Sequence, residues 1–133
     1  MYFWQPELYV LPQAMKKHIL LAEDDADDQL FFTAALKEAS PDAVLTVVSA
    51  ADAALQLLRT SKSLPEICIV DINMPGTSGT DLLKIIRKEE RFKGLQIVML
   101  TTSSDRQTAQ LCLDLGANGF YSKPETHQLL VKI

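Results

Sequence analysis

Residues 67–79 read ICIVDINMPGTSG and carry the most informative pattern in the chain. Its first four residues form an apolar run, which is typical of a buried strand. Asp71 follows the run, and the asparagine, proline and glycines after it favour a loop. Leu82, Leu83 and Ile86 then recur at helical spacing. The stretch therefore predicts a strand, a loop and a helix, with a carboxylate where the strand ends.

The same pattern repeats on both sides of this unit, so that strand and helix alternate five times. The predicted strands cover residues 18–22, 44–48, 67–70, 95–100 and 117–122. The predicted helices cover residues 27–39, 51–60, the segment around 82–86, 105–115 with Gly116 as its C-cap, and the chain from 126 onward. The apolar stripe of the first helix is formed by Leu30, Phe31, Ala34, Ala35 and Ala39. This alternation predicts an α/β protein with one doubly wound parallel sheet and helices on both faces.

Length and composition indicate one globular domain. The chain has 133 residues, of which 47% are hydrophobic and 23% charged, and this is enough to bury a core. Its net charge of -4 argues against direct nucleic-acid binding, because phosphate contacts need clustered Lys and Arg. No stretch approaches the ~20 apolar residues of a membrane span. Cys68 and Cys112 are predicted to be buried thiols, which suits a cytoplasmic location.

The two ends of the chain are less regular. Residues 1–14 hold four of the nine aromatic residues and show no helix or strand period. We therefore expect a flexible N-terminal extension and a folded domain over residues 15–133. The alternative is a segment that packs onto this domain or a partner, because exposed aromatic side chains are adhesive. The last predicted helix has only about two turns, which is short for a helix that covers a sheet. A natural chain that continues beyond Ile133 is therefore an alternative.

Acidic side chains follow the first and third predicted strands. Glu23, Asp24 and Asp25 follow the first strand, and Asp71 follows the third. The carboxyl ends of parallel strands share one edge of the sheet, where ligands bind. Carboxylates brought together there repel unless a cation intervenes, and hard oxygen ligands that leave room for water and phosphate suit Mg²⁺. The simpler explanation of the acids after the first strand, including those at 27 and 28, is interaction with a helix dipole.

The fourth and fifth predicted strands are followed by a hydroxyl and an ammonium group. Thr101 follows the fourth strand, and Lys123 follows the fifth. Taken alone, a threonine is a good strand former and a lysine is usually solvated. Together with Asp71 they supply a nucleophile, a hydroxyl for a phosphoryl oxygen and a cation that offsets its charge. This set is what phosphorylation of a carboxylate requires.

These stretches together resemble one family, the response-regulator receiver domains, which include the single-domain chemotaxis regulators. The resemblance rests on ILLAEDD at 19–25, IVDINMPG at 69–76, VMLTT at 98–102 and GFYSKP at 119–124. It covers about residues 16–133, with all four motifs in matching order and spacing. The fold that the resemblance implies is flavodoxin-like, a five-stranded parallel sheet of order 2-1-3-4-5, and residues 15–133 are then the receiver domain.

The resemblance also implies roles for single residues. Asp71 matches the phosphoacceptor. Asp24 matches the direct ligand of Mg²⁺, with Asp71 beside it, and Glu23 acts mostly through water. The main-chain carbonyl of Asn73 matches the third protein ligand.

The remaining roles concern the signal. Thr101 matches the switch hydroxyl, Phe120 the switch ring, and Lys123 the partner of the phosphoryl group. Lys123-Pro124 matches the cis peptide of the family, which is plausible because X-Pro bonds are where the cis form costs least. Three residues depart from the family pattern: Phe120 lacks the hydroxyl of the more common tyrosine, Thr102 is larger than the usual residue, and Ser103 is small. The resemblance therefore does not predict the rates of phosphorylation and dephosphorylation or the choice of partner.

The implied partners are a histidine kinase or a histidine phosphotransfer protein, followed by a downstream effector. The phosphoryl group passes to Asp71, and the face formed by the fourth helix, the fifth strand and the fifth helix, at about residues 105–133, responds. Such a domain catalyses its own phosphorylation and dephosphorylation, and it is not an enzyme that turns over a free substrate.

Two other functions would use some of the same residues. A phosphohydrolase of the haloacid dehalogenase type also uses an aspartyl nucleophile, but it needs a second acid two residues later, where this chain has Asn73. Its nucleophile also belongs to the first strand. A receiver fold used only as an unphosphorylated interaction module would usually lack some site residues, and all of them are present here.

Overall fold

The computed structural model describes residues 17–102 and 105–123. Within these ranges the elements are β1 (His18–Ala22), α1 (Ala26–Ala39), β2 (Val44–Val48), α2 (Ala51–Thr60), β3 (Ile67–Asp71), α3 (Gly79–Lys88), β4 (Gln96–Thr101), α4 (Arg106–Asp114) and β5 (Gly119–Ser122). The strands form one parallel sheet in the order β2-β1-β3-β4-β5. This confirms the predicted fold class and strand order. The expected N-terminal extension and the last helix lie outside the described residues.

The three central strands, β1, β3 and β4, are buried on both faces of the sheet, as their continuous apolar runs predict. Successive side chains of a strand point to opposite faces. Leu20, Cys68 and Met99 therefore line the face that α2 and α3 cover. Ile69 and Val98 line the opposite face, which α1 covers. Burial on both sides fixes the register of β1 and β3, and this register determines which residues emerge at the strand ends.

The apolar stripe predicted for α1 is wrong for its two largest side chains, whereas Ala35 of that stripe does pack against the core. Leu30 and Phe31 are 69% and 52% exposed, whereas Phe32 and Leu36 are the buried residues of this helix. The segment carries apolar side chains around most of its circumference, so more than one stripe fits its spacing. The contact with Ile19, Leu21 and the other residues on that face of the sheet selects Phe32 and Leu36.

The end of α4 follows the prediction for Gly116. This glycine has a φ of +107°, a conformation that other residues rarely adopt. Its N–H donates to the carbonyl of Leu113 at 3.0 Å, and the N–H of Ala117 donates to that of Cys112 at 2.9 Å. This pair of bonds is the Schellman motif, which ends a helix. Because Ala117 belongs to the cap, β5 begins two residues later than predicted, at Gly119.

Arg87 at the end of α3 ties together the segments that enter β4 and β5. Its guanidinium donates to the carbonyls of Phe92, Leu95 and Gly116, each at 2.8 Å. It also donates to Asn118 Oδ1 at 2.9 Å, and the same oxygen accepts from the N–H of Ile97. Five directed donors suit arginine to this position. The network fixes the amino ends of the two strands, opposite the edge where the acids lie.

The structure also bears on the predictions for the two cysteines and for membrane spans. Cys68 and Cys112 are both buried and free of disulfide bonds, as expected for two interior thiols. Among the described residues, no helix combines the length and apolar character needed to cross a membrane.

Candidate functional site

The sheet order places the ends of β1 and β3 side by side. Ala22 pairs with Val70, and Glu23 and Asp71 follow them. Carboxylate oxygens of Glu23, Asp24 and Asp71 all lie within 4.8 Å of one another. The acids that the sequence placed at two separate strand ends therefore form one cluster at the carboxyl edge of the sheet.

The three acids differ in their contact with solvent. Glu23 is fully buried and Asp71 is 3% exposed, whereas Asp24 is exposed. Burying carboxylates is costly unless they are paired with a cation or bind one. The cluster therefore combines two buried oxygen donors with one that faces water, an arrangement suited to a hard cation that keeps some water ligands.

Backbone contacts hold Asp71 in place. The N–H of Ile72 donates to the carbonyl of Leu100 at 2.9 Å, which extends the pairing of β3 with β4 beyond Asp71. The N–H of Asn73 donates to Asp71 Oδ1 at 3.3 Å. At the start of α3, the N–H of Gly79 donates to the carbonyl of Ile72 at 2.9 Å.

Gly79 is required by this corner. A Cβ atom at position 79 would overlap the carbonyl oxygen of Asp71 and would lie 2.8 Å from the Cα of Ile72. The absence of a side chain therefore lets the first turn of α3 approach the backbone of the candidate phosphoacceptor. The sequence marked Gly79 only as part of a loop, and its role depends on a close approach that no local pattern reveals.

The start of α1 is held against the same edge. Asp25 is the N-cap, and its Oδ1 accepts from the N–H of Asp28 at 2.9 Å. Gln29 donates through its side-chain amide to the carbonyl of Glu23 at 2.5 Å and to Ser49 Oγ at 3.1 Å. These bonds place the first turn of α1, with its acidic side chains, beside the end of β1.

Lys123 reaches into the acidic cluster from the end of β5. Its Nζ lies 2.6 Å from Asp28 Oδ2, 2.8 Å from Glu23 Oε1 and 3.6 Å from Asp71 Oδ2. The contact with Asp28 is a hydrogen bond. Glu23 Oε1 is close enough for an ion pair, yet this buried oxygen accepts no well-directed hydrogen bond within the described part of the chain. Glu23 thus retains an oxygen that can accept a hydrogen bond from a donor such as a metal-bound water.

The pKa values of Glu23 and Lys123 reflect this crowding. Burial raises the pKa of Glu23 to about 7; the Lys123 ammonium opposes the rise and the neighbouring Asp71 adds to it. Burial alone would lower the pKa of Lys123, but the direct contacts with the Asp28 and Glu23 carboxylates and the charge of Asp71 outweigh it and raise that pKa. Lys123 is therefore a permanent cation at the site.

The other predicted residues occupy the positions that the strand pattern indicated. Thr101 is buried at the end of β4, one residue beyond Leu100, which pairs with Asp71. Phe120 lies in β5 opposite Met99 and packs, half-buried, against the core on the α2 and α3 side. Thr102 is exposed. Ser103 and Pro124, with its expected cis peptide, lie outside the described residues.

Asp28 is the site residue that sequence reasoning missed. It was explained only as an acid near a helix N-terminus, yet it makes the shortest contact of Lys123. The two residues are 95 positions apart in the sequence. A signal was available in the sequence, because an acid on the first helical turn after β1 faces the same edge as Lys123 after β5.

Comparison with known proteins identifies the family of this chain. The family model described as "Response regulator receiver domain" matches residues 19–133. Among curated proteins, the chemotaxis protein CheY of Pseudomonas aeruginosa is 38% identical over 65 residues, 49% of this chain and 52% of that protein. The DNA-binding transcriptional activator EvgA of Escherichia coli is 34% identical over 82 residues, 62% of this chain and 38% of that protein. The chain thus spans about half the length of these relatives or less.

Solved structures give matches over more of the chain. A putative response regulator from Chloroflexus aurantiacus is 28% identical, with a TM-score of 0.79, covering 88% of this chain and 93% of that one. The Mn²⁺-bound form of the response regulator Rcp1 is 25% identical, with a TM-score of 0.78, covering 88% of this chain and 91% of that one. These matches agree with the strand order of the sheet.

Proposed function

This chain belongs to the response regulator receiver domain family, and on that premise we propose that Asp71 is its phosphoacceptor. The phosphoryl group would come from a phosphohistidine on a histidine kinase or a histidine phosphotransfer protein. The observation that carries the proposal is the convergence of the Glu23 and Asp24 carboxylates and of the Lys123 ammonium on the Asp71 side chain. Residues 15–133 are the proposed receiver domain, and residues 1–14 are an extension to it.

We propose Mg²⁺ as the cofactor. Asp24 and Asp71 would bind it directly, Glu23 would act mostly through water, and the main-chain carbonyl of Asn73 would complete the protein ligands. The support is the close approach of the three carboxylates and the buried Glu23 oxygen, which accepts no well-directed hydrogen bond within the described residues. A related structure is described as binding Mn²⁺, another divalent ion that carboxylates bind. When bound, the ion would supply positive charge to the phosphoryl oxygens.

The protein groups supply positioning and charge. Phosphoryl transfer needs both more than it needs covalent help from the enzyme. The carboxylate of Asp71 attacks phosphorus, the bond from phosphorus to the histidine nitrogen breaks, and the imidazole of the donor leaves. Lys123 already lies 3.6 Å from Asp71 Oδ2 and would offset the new charge. Water later attacks the acyl phosphate and releases inorganic phosphate, which restores the free carboxylate.

Signalling would begin at Thr101. Its buried position at the end of β4 would let the hydroxyl donate to a phosphoryl oxygen on Asp71. Phe120 on the adjacent β5 would respond by a change in packing. The responding surface would be the face formed by α4, β5 and the segment beyond it, about residues 105–133, and a downstream effector protein would read it. We propose no direct contact with nucleic acid, because the net charge is -4.

The test is phosphorylation by a phosphohistidine donor in the presence of Mg²⁺. The wild type should gain one phosphoryl group, and removal of the metal by a chelator should prevent this. Asp71→Asn should gain none, because an amide is not a nucleophile for this step. The matched control is Asp42→Asn, which changes an exposed aspartate in the turn before β2 and should label normally. Undiminished labelling of Asp71→Asn would refute the assignment.

A further inference from the structure

The resting position of Lys123 is set by an acid outside the predicted set. Its Nζ is 2.6 Å from Asp28 Oδ2 and 3.6 Å from Asp71 Oδ2. The difference separates a hydrogen bond from a contact beyond hydrogen-bonding distance. The cation that a phosphoryl group on Asp71 would need is thus bound to the first turn of α1.

Asp28 is well placed to hold the lysine. Its main-chain N–H is fixed by the N-cap Asp25 at 2.9 Å, so the carboxylate emerges from an ordered turn. Its side chain is 38% exposed, whereas that of Asp71 is only 4% exposed. Asp28 therefore keeps more hydration than Asp71 while it pairs with the lysine.

Glu23 does not replace Asp28 in this role. Its Oε1 is 2.8 Å from the same Nζ, which is an ion-pair distance, but among the described residues only the contact with Asp28 also meets the geometry of a hydrogen bond. The directed bond of the ammonium goes to Asp28. Removal of the Asp28 carboxylate would free that donor for the oxygens that remain, and Asp71 Oδ2 is among the nearest.

We propose that Asp28 is a positioning residue that holds Lys123 back from Asp71 until a phosphoryl group arrives. This inference rests on the proposed function of Asp71 and adds a regulator to that site. The phosphoryl oxygens compete with Asp28 for the ammonium. The free energy of their interaction with Lys123 is therefore reduced by the cost of breaking the contact between Lys123 and Asp28. Loss of Asp28 makes that displacement unnecessary and favours the phosphorylated form.

The first experiment measures the position of the lysine directly. Crystal structures of the metal-free wild type and of Asp28→Ala are compared. In the variant, Nζ should move from 3.6 Å to hydrogen-bonding distance of Asp71 Oδ2. Asp27→Ala is the matched control, because it removes an exposed acid from the same turn, and it should leave the lysine in place. A lysine that stays 3.6 Å from Asp71 in Asp28→Ala would overturn the proposal.

The second experiment measures the consequence with beryllofluoride and Mg²⁺ as the probe. Asp28→Ala should bind the probe about threefold to tenfold more tightly than the wild type. Asp28→Glu should restore affinity toward the wild type, and Asp27→Ala should report any general effect of lost charge. In a Lys123→Met background, Asp28→Ala should increase the affinity for the probe by no more than Asp27→Ala does. Without the Lys123 ammonium, Asp28 and the probe no longer compete for it.

The outcomes separate the inference from the function on which it rests. Weaker binding in Asp28→Ala would mean that Asp28 helps the lysine reach the phosphoryl group, and the proposal would be wrong. An equal gain with and without Lys123 would also overturn it, because the effect would then be general electrostatics. If even the wild type fails to bind beryllofluoride, the phosphoacceptor assignment fails, and the crystal structures still decide whether Asp28 holds Lys123.

Discussion

Substitution of Gly79 by alanine should damage both the stability of the fold and the reactivity of Asp71. The added methyl group would overlap the carbonyl oxygen of Asp71 and would lie 2.8 Å from Ile72 Cα. Both neighbours are backbone atoms, and neither can rotate away as a side chain would. The clash is relieved only if the first turn of α3 moves away from the end of β3.

The cost can be bounded from general values. Overpacking a tight site costs about 1–3 kcal/mol and occasionally more, and backbone neighbours place this case toward the upper part of that range. Alanine is a better helix former than glycine by about 0.5–1 kcal/mol, which offsets a fraction of the loss. We expect a net loss of about 2 kcal/mol. A displacement of Asp71 also disturbs the geometry of transfer, where a 1 Å error costs up to about a hundredfold in rate.

The assay pairs urea denaturation with phosphorylation kinetics. The control is Gly94→Ala, because a Cβ there meets nothing within 4 Å and the residue does not have a positive φ. Gly94→Ala should have near wild-type stability and labelling, whereas Gly79→Ala should lose about 2 kcal/mol and label at least severalfold more slowly. Equal stability and equal labelling rates of the two variants would refute the argument that the start of α3 needs a residue without a side chain beside Asp71.

Two further predictions concern charge. In the metal-free protein, the free energy of unfolding should fall as pH rises from about 4.5 to about 7, because folded Glu23, with its pKa raised to about 7, keeps a proton that the unfolded chain releases. The effect is at most about 3 kcal/mol, and Glu23→Gln should flatten it in denaturation curves at pH 5 and pH 8; an unchanged slope would contradict the raised pKa. Arg87→Lys should lose about 2–4 kcal/mol, since one ammonium cannot serve the same acceptors, while exposed Arg106→Lys should change stability little. Phosphorylation of Arg87→Lys should stay normal below its melting temperature, because its contacts lie at the opposite end of β4 and β5; slowed labelling would show that the two ends are coupled.

Strand ends were the part of the site that the sequence predicted well. A buried strand in a parallel sheet is a nearly continuous apolar run, so the first polar residue after it marks the functional edge. Glu23, Asp71 and Lys123 are such residues, and their convergence follows from the strand order. The order itself came from resemblance to a family, because alternation of strands and helices allows several orders.

The helices were predicted less well in the features that matter for the site. Leu30 and Phe31 have the spacing of a buried stripe, but contact with the sheet buries Phe32 and Leu36 instead. Periodicity alone does not distinguish two apolar stripes on one helix. Asp28 was missed for a related reason. The direction in which an acid on α1 points depends on how the helix is rotated about its own axis, and the burial of Phe32 and Leu36 sets that rotation.

The rotation of α1 about its axis also sets the position of Asp28. Once Phe32 and Leu36 are buried against the sheet, Asp28 lies one turn before Phe32, on the side that contacts Lys123. The packing that orients the helix therefore also orients the acid that holds the lysine. Any partner that shifts α1 would change the distance from Asp28 to Lys123 and so the availability of the cation to Asp71. In that way a surface some distance from Asp71, the proposed phosphoacceptor, would alter its reactivity without contacting it.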